Sequence, residues 1–289
     1  MRFILYLLSA LVMVVMAGLV AVFLVVAKYG HDLPDYHQLA DYDPKVTTRV
    51  QAGDGQLLSE FATEKRTFVP YDAIPKRVID AFLAAEDKDF FKHGGIDPVR
   101  MAKAMVMDLA HLHSGKRPEG ASTITQQVAK NFLLTNEVSL TRKIKEAILA
   151  FRIEQTFSKQ RILELYLNQI YLGQGTYGVA AASLNYFDKP LDQLTVAEAA
   201  FLGELPKAPN NFNPEHRADA ALERRDWVIS RMADDGFITR DEESAAQAEP
   251  LGIHHGHEVD AITANYFTEE VRKQLAEKFG EESVYAGGL

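Results

Sequence analysis

No charged residue occurs between Phe3 and Ala27, a run of 25 residues built mostly of Leu, Val, Ala, Met and Phe. As one helix, rising about 1.5 Å per residue, it can span the roughly 30 Å hydrocarbon thickness of a bilayer. It exceeds the roughly 7–15 apolar residues of a cleaved signal, and Val25-Val26-Ala27-Lys28 is a poor small-x-small cleavage site. The sequence therefore predicts a retained, single-pass transmembrane anchor over residues 1–28. From Lys28 to Asp54 there are three basic and five acidic residues, which disfavours that flank as the cytoplasmic one. The amino terminus and Arg2 are then expected inside, and the bulk of the chain outside the cytoplasmic membrane.

The whole chain has 289 residues, enough for about two domain-sized units. Lys and Arg total 31 against 40 Asp and Glu, a net charge of -9, which argues against nucleic acid as a partner but leaves room for a local basic pocket. Cysteine is absent, so thiol catalysis, disulfides and Cys-ligated metals are excluded together. Residues 29–70 read as a stalk with short strands, the turn Gly53-Asp54-Gly55 joining strands at 47–51 and 57–61. Helical periodicity then runs from Pro75 to about Phe237, with positions 78, 79, 82, 83, 86 and 90 on one face and further segments near 98–112, 123–134, 140–157, 159–172, 178–185, 195–204 and 218–235. The string HLHSGKRPEG at 111–120 interrupts it as a loop, and Pro206, Pro209 and Pro214 end its dense part. Residues 241–258 are weakly patterned, and 261–279 form an amphipathic candidate helix.

Three segments carry chemistry. In 75–95, Glu86 lies four residues after Phe82, seven after Ile79 and four before Phe90, on one helical face with apolar residues. A carboxylate there is costly unless paired, protonated or facing a cleft, and burial would raise its pKa toward that of a general acid or base. A solvated or salt-bridged helix end explains the same position. On this periodicity Asp87 lies about 100° around the axis, and His93 reads as a turn or packing residue. In 120–134, Gly120, Ser122 and Thr123 can start a helix and offer N–H groups or hydroxyls to an oxyanion. Thr123, Gln127 and Lys130 share a polar side with Asn131 beside them, either as a phosphate-facing surface or as a solvated face. In 140–157, Glu146 enters a helix that is apolar on nearly all sides, with Arg142 its i,i+4 partner and Lys143 nearby. An ordinary intrahelical ion pair accounts for that arrangement too. Two separated carboxylates with a lysine and an arginine suit a reaction in which a sugar C1–O bond to a diphosphate breaks while a base activates the incoming hydroxyl.

Other signals point away from function. Gly173-Gln174-Gly175-Thr176-Tyr177-Gly178 matches GxGxxG, but a helical rather than a strand pattern precedes it, so no nucleotide cofactor is expected. His254, His255 and His257 lie in what reads as an exposed loop. Neither Ser-x-x-Lys nor Lys-Thr-Gly occurs, so no transpeptidase serine is expected.

Five blocks in order, EDKDFFKHGG at 86–95, GASTITQQVAKN at 120–131, RKIKE at 142–146, KQRILELYLNQIYLGQGTYGVAAASLNYF at 159–187 and LTVAEAAFLGELPKAPNNFNP at 194–214, resemble the peptidoglycan glycosyltransferase (transglycosylase) domain of class A penicillin-binding proteins, glycosyltransferase family 51. The resemblance covers about 45–240. It implies a mainly α, lysozyme-like glycosyltransferase fold with a large globular lobe and a small membrane-associated lobe near 98–120, preceded by one transmembrane helix. It assigns 71–240 to the glycosyltransferase domain and reads 241–289 as a linker toward a C-terminal domain that this chain does not include. An incomplete bifunctional protein is expected rather than a natural monofunctional enzyme.

The implied substrate is lipid II, polymerised with inversion into β-1,4-linked glycan. The resemblance assigns Glu86 as general base on the acceptor 4-hydroxyl and Glu146 as organiser of the donor diphosphate, with a divalent cation (Mg²⁺ or Mn²⁺). Lys130 and Arg142 would contact the diphosphate. Ser122, Thr123, Gln127 and Asn131 would shape the donor site, while Asp87 and His93 support the base. The implied partners are lipid II, the growing lipid-linked glycan, the membrane and cell-wall synthesis proteins. Competing expectations are a lysozyme-like hydrolase or lytic enzyme acting on finished glycan and a non-catalytic membrane scaffold.

Overall fold

The structure is a computed structural model that describes residues 2–42, 48–54, 57–61, 65–111, 121–135, 137, 139–207, 214–253, 265–287 and 289. Of the loop expected at 111–120, His111 ends a helix and the rest, with Gly120, lies outside these residues, as do Gly55, Pro209 and the three histidines at 254, 255 and 257. In chain order the elements are α1 (Arg2–Tyr29), β1 (Thr48–Gln51), β2 (Leu57–Phe61), β3 (Lys65–Arg66), α2 (Lys76–Glu86), α3 (Pro98–His111), α4 (Ile124–Leu133), α5 (Leu140–Thr156) and α6 (Lys159–Gln169). They continue with β4 (Thr176–Tyr177), α7 (Val179–Phe187), α8 (Val196–Glu204), α9 (Pro214–Asp234), α10 (Arg240–Ala248), α11 (Asn265–Phe279) and α12 (Glu281–Ala286). The fold is mainly α, as the sequence predicts.

Two compact units divide the chain, and they interleave in sequence: 1–41 with 94–157, and 42–93 with 158–289. The first holds α1, α3, α4 and α5. The described side chains of α1 from Phe3 to Val26 are exposed, and Tyr6–Tyr29 is long and apolar enough to cross a membrane. Its end is tied to α5, where Arg152 donates to Gly30 O at 3.3 Å and Lys145 to Asp32 O at 3.2 Å. On α3, Val99, Met101 and Val106 are exposed. Helix α4 starts with a capping box between Thr123 and Gln126, and Ser139 caps α5 by accepting from Arg142 N at 3.1 Å. Leu149, Ala150 and Ile153 are fully buried on α5.

In the second unit α8 packs between α2 and α9, and every residue of α2 from Val78 to Ala84 is buried. Strands β1 and β2 pair antiparallel with an irregularity at Val50/Gln51, and β3 pairs parallel with β4. The latter pairing draws the end of the expected stalk into the globular unit. Arg66 is buried there, over the Tyr177 ring at 4.5 Å. Helix α6 fixes the approach to α2: Asn168 accepts from Val69 N and donates to Val69 O, both at 2.8 Å, while Glu164 accepts from Tyr71 N at 2.7 Å. Residues 265–287, all within the stretch read from sequence as linker and overlapping the candidate helix at 261–279, form α11 and α12, which pack on β2 and β1. The weakly patterned region after 240 contains α10. Its one buried apolar residue is Ala246, so periodicity could not reveal it, although its capping box of Thr239 and Glu242 was present in the sequence.

Gly178 is needed where α6 meets the turn before α7. Its φ is +80°, and a Cβ there would lie 2.7 Å from Asn168 O. The glycines of the GxGxxG string therefore serve a turn after a helix, α6, rather than a strand–turn–helix. Gly178→Ala should destabilise the unit by at least about 2 kcal/mol, read as a lowered urea midpoint in detergent.

Glu204, at the end of α8, is 1% exposed, and neither carboxylate oxygen accepts a hydrogen bond among the described residues. Arg224 approaches only to 3.8 Å while stacking over the Trp227 ring at 3.7 Å. Burial outweighs the guanidinium and pushes the Glu204 carboxyl up to about 9. The folded state thus keeps a proton that the unfolded chain releases above about 4.5, so this group makes stability fall between about pH 4.5 and 9. Glu204→Gln should match the parent near pH 4 and exceed it by about 1–3 kcal/mol at pH 8.5, measured by denaturant unfolding at both values.

Candidate active site

The candidate residues fall into two groups, one in each unit. In the second unit, α2 ends at Glu86, and Asp87 leaves the helix with non-helical backbone, its N–H bonded to Leu83 O at 2.8 Å. The helical wheel fails at that step. Glu86 is half-buried, whereas Asp87, expected off the buried face, is 1% exposed. A buried carboxylate requires a donor. His93 supplies it, with Nε2 3.0 Å from both Asp87 oxygens, so Nε2 carries the shared proton and His93 is a carboxylate partner rather than a packing residue. The turn between them seats Phe90, fully buried, edge-on to the His93 ring. Lys159, the first residue of α6, donates to His93 O at 2.7 Å and lies 4.3 Å from the centroid of the Phe90 ring.

In the first unit, Glu146 on α5 is 1% exposed. Arg142 Nη1 donates to its Oε1, and Lys143 Nζ to its Oε2 at 2.7 Å. One buried carboxylate is thus held by two cations on the same helix, at i−4 and i−3. Lys143, the neighbour rather than the primary partner in the sequence reading, is the missed member. Its signal was its own three-residue spacing from Glu146. Lys143 also donates to Ser122 Oγ at 2.6 Å, tying α5 to the start of α4. Arg142 Nε is buried and has no acceptor among the described residues.

Thr123, fully buried, donates from Oγ1 to Gly95 O at 2.6 Å and accepts from Gln126 N at 3.1 Å. Its hydroxyl thus caps α4 as an acceptor and gives its proton to Gly95 O. Ser122 likewise serves Lys143. Gln127 and Lys130 are half-buried on α4 and Asn131 is exposed. Arg142 and Lys143 stand against the single Glu146 carboxylate, a local positive surplus, and Lys130 on α4 has no carboxylate partner among the described residues. That surplus suits an anion with several oxygens. It does not make a metal centre by itself, because both Glu146 oxygens are engaged by cations, and no group of three or more His, Asp or Glu fit to hold a metal occurs among the described residues.

None of these site residues lines the cavity of about 830 Å³ bounded by Tyr71, Lys76, Asp80, Phe91 and Phe237. Lys76 pairs there with Asp80, Lys88 with Asp235 and Lys92 with Asp89, while Asp234 pairs with Arg240 outside the lining.

Residues 54–233 match the family model described as Transglycosylase. Penicillin-binding protein 1A of Rickettsia prowazekii (strain Madrid E) is 48% identical over 266 residues, covering 92% of this chain and 34% of the relative. Penicillin-binding protein 1A of Escherichia coli (strain K12) is 41% identical over 288 residues, covering 100% of this chain and 33% of the relative. The chain thus spans about a third of the length of these curated relatives. The crystal structure of penicillin-binding protein 1A from Haemophilus influenzae matches 86% of this chain and 26% of its own, at 30% identity and a TM-score of 0.50. With its family match covering most of the globular sequence and its five motif blocks in order, the chain belongs to the transglycosylase family.

Proposed function

We propose that this chain is an inverting peptidoglycan glycosyltransferase that polymerises lipid II into β-1,4-linked glycan and releases undecaprenyl diphosphate. The observation that carries the proposal is the buried Glu146 held by both Arg142 and Lys143, with Arg142 Nε still lacking an acceptor. These cations are fixed before any ligand arrives, so they can meet charge developing on a departing diphosphate without reorganisation. Family membership supports the same reading.

In the proposed reaction Glu86 takes the proton of the acceptor 4-hydroxyl. The oxygen attacks the donor C1 from the face opposite the diphosphate. The C1–O bond breaks with its electron pair on the diphosphate, and the α-linked donor becomes a β-linked product. Arg142, Lys143 and Lys130 receive the leaving group, while Ser122 holds Lys143 and the Thr123 cap sets the start of α4. Gln127 and Asn131 belong to the donor-facing side of that helix. Asp87 and His93 fix the loop that begins at Glu86. A divalent cation, Mg²⁺ or Mn²⁺, would come as a companion of the diphosphate. An enzyme cleaving finished glycan would instead require a proton donor at the glycosidic oxygen and a water, and the cationic cradle favours neither. Helix α1 is assigned as a membrane anchor with the amino terminus cytoplasmic and the rest on the outer side, where a lipid-linked donor and acceptor share one plane with the enzyme.

Purified protein in detergent with Mg²⁺ should convert labelled lipid II to long glycan, and Glu86→Gln should lower kcat at least about 100-fold while remaining folded. Equal polymerisation by both would remove Glu86 from the base role. Glycan shortening without lipid II consumption would favour the hydrolase. A folded but inert wild-type protein would favour the scaffold. Lys143→Met should raise KM for lipid II about tenfold, because a charge-assisted contact is lost while Arg142 still neutralises Glu146, and an unchanged KM would exclude Lys143 from the donor cradle.

A further inference from the structure

The cavity of about 830 Å³ belongs wholly to the second unit, lined by Ile79 and Leu83 of α2, by the loop after Glu86 and by the chain at the end of α9. Its volume falls in the range of about 300–1,000 Å³ that ligand pockets take. The loop after Glu86 has two sides. Asp87 and Phe90 are buried, with His93 bonded to Asp87, whereas Lys88, Asp89, Phe91 and Lys92 line the cavity. Phe91 is 49% exposed and meets Phe90 edge-on, 5.2 Å between centroids, so a core residue sets the angle of its ring. Tyr71 and Phe237 add two half-buried rings, and Lys76 Nζ lies 5.6 Å from the Phe237 centroid. Three ammonium–carboxylate couples share the lining: Lys76 with Asp80 at 2.6 Å, Lys92 with Asp89 at 2.7 Å and Lys88 with Asp235 at 3.4 Å. The third is the loosest, and Asp235 Oδ2 has no hydrogen-bond partner among the described residues.

Aromatic rings beside paired charges select a class of ligand. A strongly charged ligand of either sign would have to displace a partner that is already in place. A neutral ligand rich in hydroxyls uses both halves of a couple, donating to the carboxylate and accepting from the ammonium. The C–H faces of its pyranose rings can lie on Phe91 and Phe237, whose apolar surface is then removed from water. Asp72, exposed at the lining and without an ion pair among the described residues, adds one more acceptor for a hydroxyl. Resting, for the choice of ligand, on the reading that this chain makes glycan, we propose that the cavity is a subsite for an uncharged stretch of β-1,4-linked N-acetylhexosamine strand. It shares no residue with the Arg142–Lys143–Glu146 cradle. A strand held there lies on one side of the loop whose other side carries the Asp87–His93 brace.

The probe is the β-1,4-linked tetramer of N-acetylglucosamine, which carries no lipid, diphosphate or peptide. It is titrated into the full chain in detergent and followed by saturation-transfer NMR, for wild type, Phe91→Ala, Phe237→Ala and Lys143→Met. Thermal unfolding of each variant and lipid II polymerisation by the wild type are measured alongside. Wild type should bind the tetramer saturably. Loss of either ring should raise Kd at least about fivefold, the size of one lost stacking contact, while Lys143→Met should bind as wild type does. No saturable binding by wild type, or an unchanged Kd in both ring variants, would overturn the proposal. Weakening in Lys143→Met alone would put the tetramer in the donor cradle and overturn it equally. Should Phe91→Ala not fold, Phe237→Ala decides between these outcomes by itself. A wild type that polymerises lipid II yet binds no tetramer removes the cavity inference alone. Tetramer binding that the ring variants lose, in a protein inert toward lipid II, keeps the cavity and removes the transferase reading.

Discussion

Asn168 uses its side-chain amide as a strand uses its backbone, accepting from Val69 N and donating to Val69 O. Those two bonds and the Glu164 carboxylate on Tyr71 N fix where the chain arrives before it turns into α2. At the other end of the same helix, Lys159 fixes where the chain goes after α2 ends. A single eleven-residue helix therefore clamps the entrance and the exit of the helix that carries Glu86. Remove that clamp and Glu86 is a helix-terminal carboxylate on a frayed loop. With it, the carboxylate stands on an element whose neighbours Val78, Phe82 and Phe90 are fully buried. Gly178 lets the following turn pass directly against Asn168, which keeps the amide in place.

The first unit reaches rigidity through charge. Burying Glu146 would be prohibitive alone, because desolvation of a carboxylate is costly. Two cations at i−4 and i−3 on one helix remove that cost locally, and Ser122 holds one of them from the neighbouring helix. Glu204 is the contrasting case. It is as deeply buried as Glu146, but its guanidinium stands off at 3.8 Å and stacks on an indole, so protonation takes the place of pairing. Two carboxylates of equal exposure reach neutrality by different routes, decided by about one ångström of donor distance.

Most of the fold was legible because its helices are long, periodic and capped. The segments 124–133, 140–156, 159–169 and 196–204 all begin after Ser or Thr caps. Helix α10 escaped because it buries one alanine and carries acidic residues elsewhere. The pairing of β3 with β4 escaped because two short strands so far apart in sequence leave no local pattern. At the site, Arg142 and Glu146 were readable from their spacing, whereas the reversal of burial between Glu86 and Asp87 was not. A helical wheel continues past a helix end that only the structure locates.

The positive surplus of Arg142 and Lys143 over Glu146 has a thermodynamic side beyond bond breaking. A diphosphate bridging two alcohols carries two negative charges, and once cleaved at the sugar it can carry a third. Fixed cations attract the more highly charged species more strongly, in proportion to its charge. In the proposed reaction the groups that lower the barrier to departure of the diphosphate also deepen the well in which it then sits. Acceleration and retention of the by-product are two readings of one field, and the half-exposed ammonium of Lys143 is where solvent can relax it.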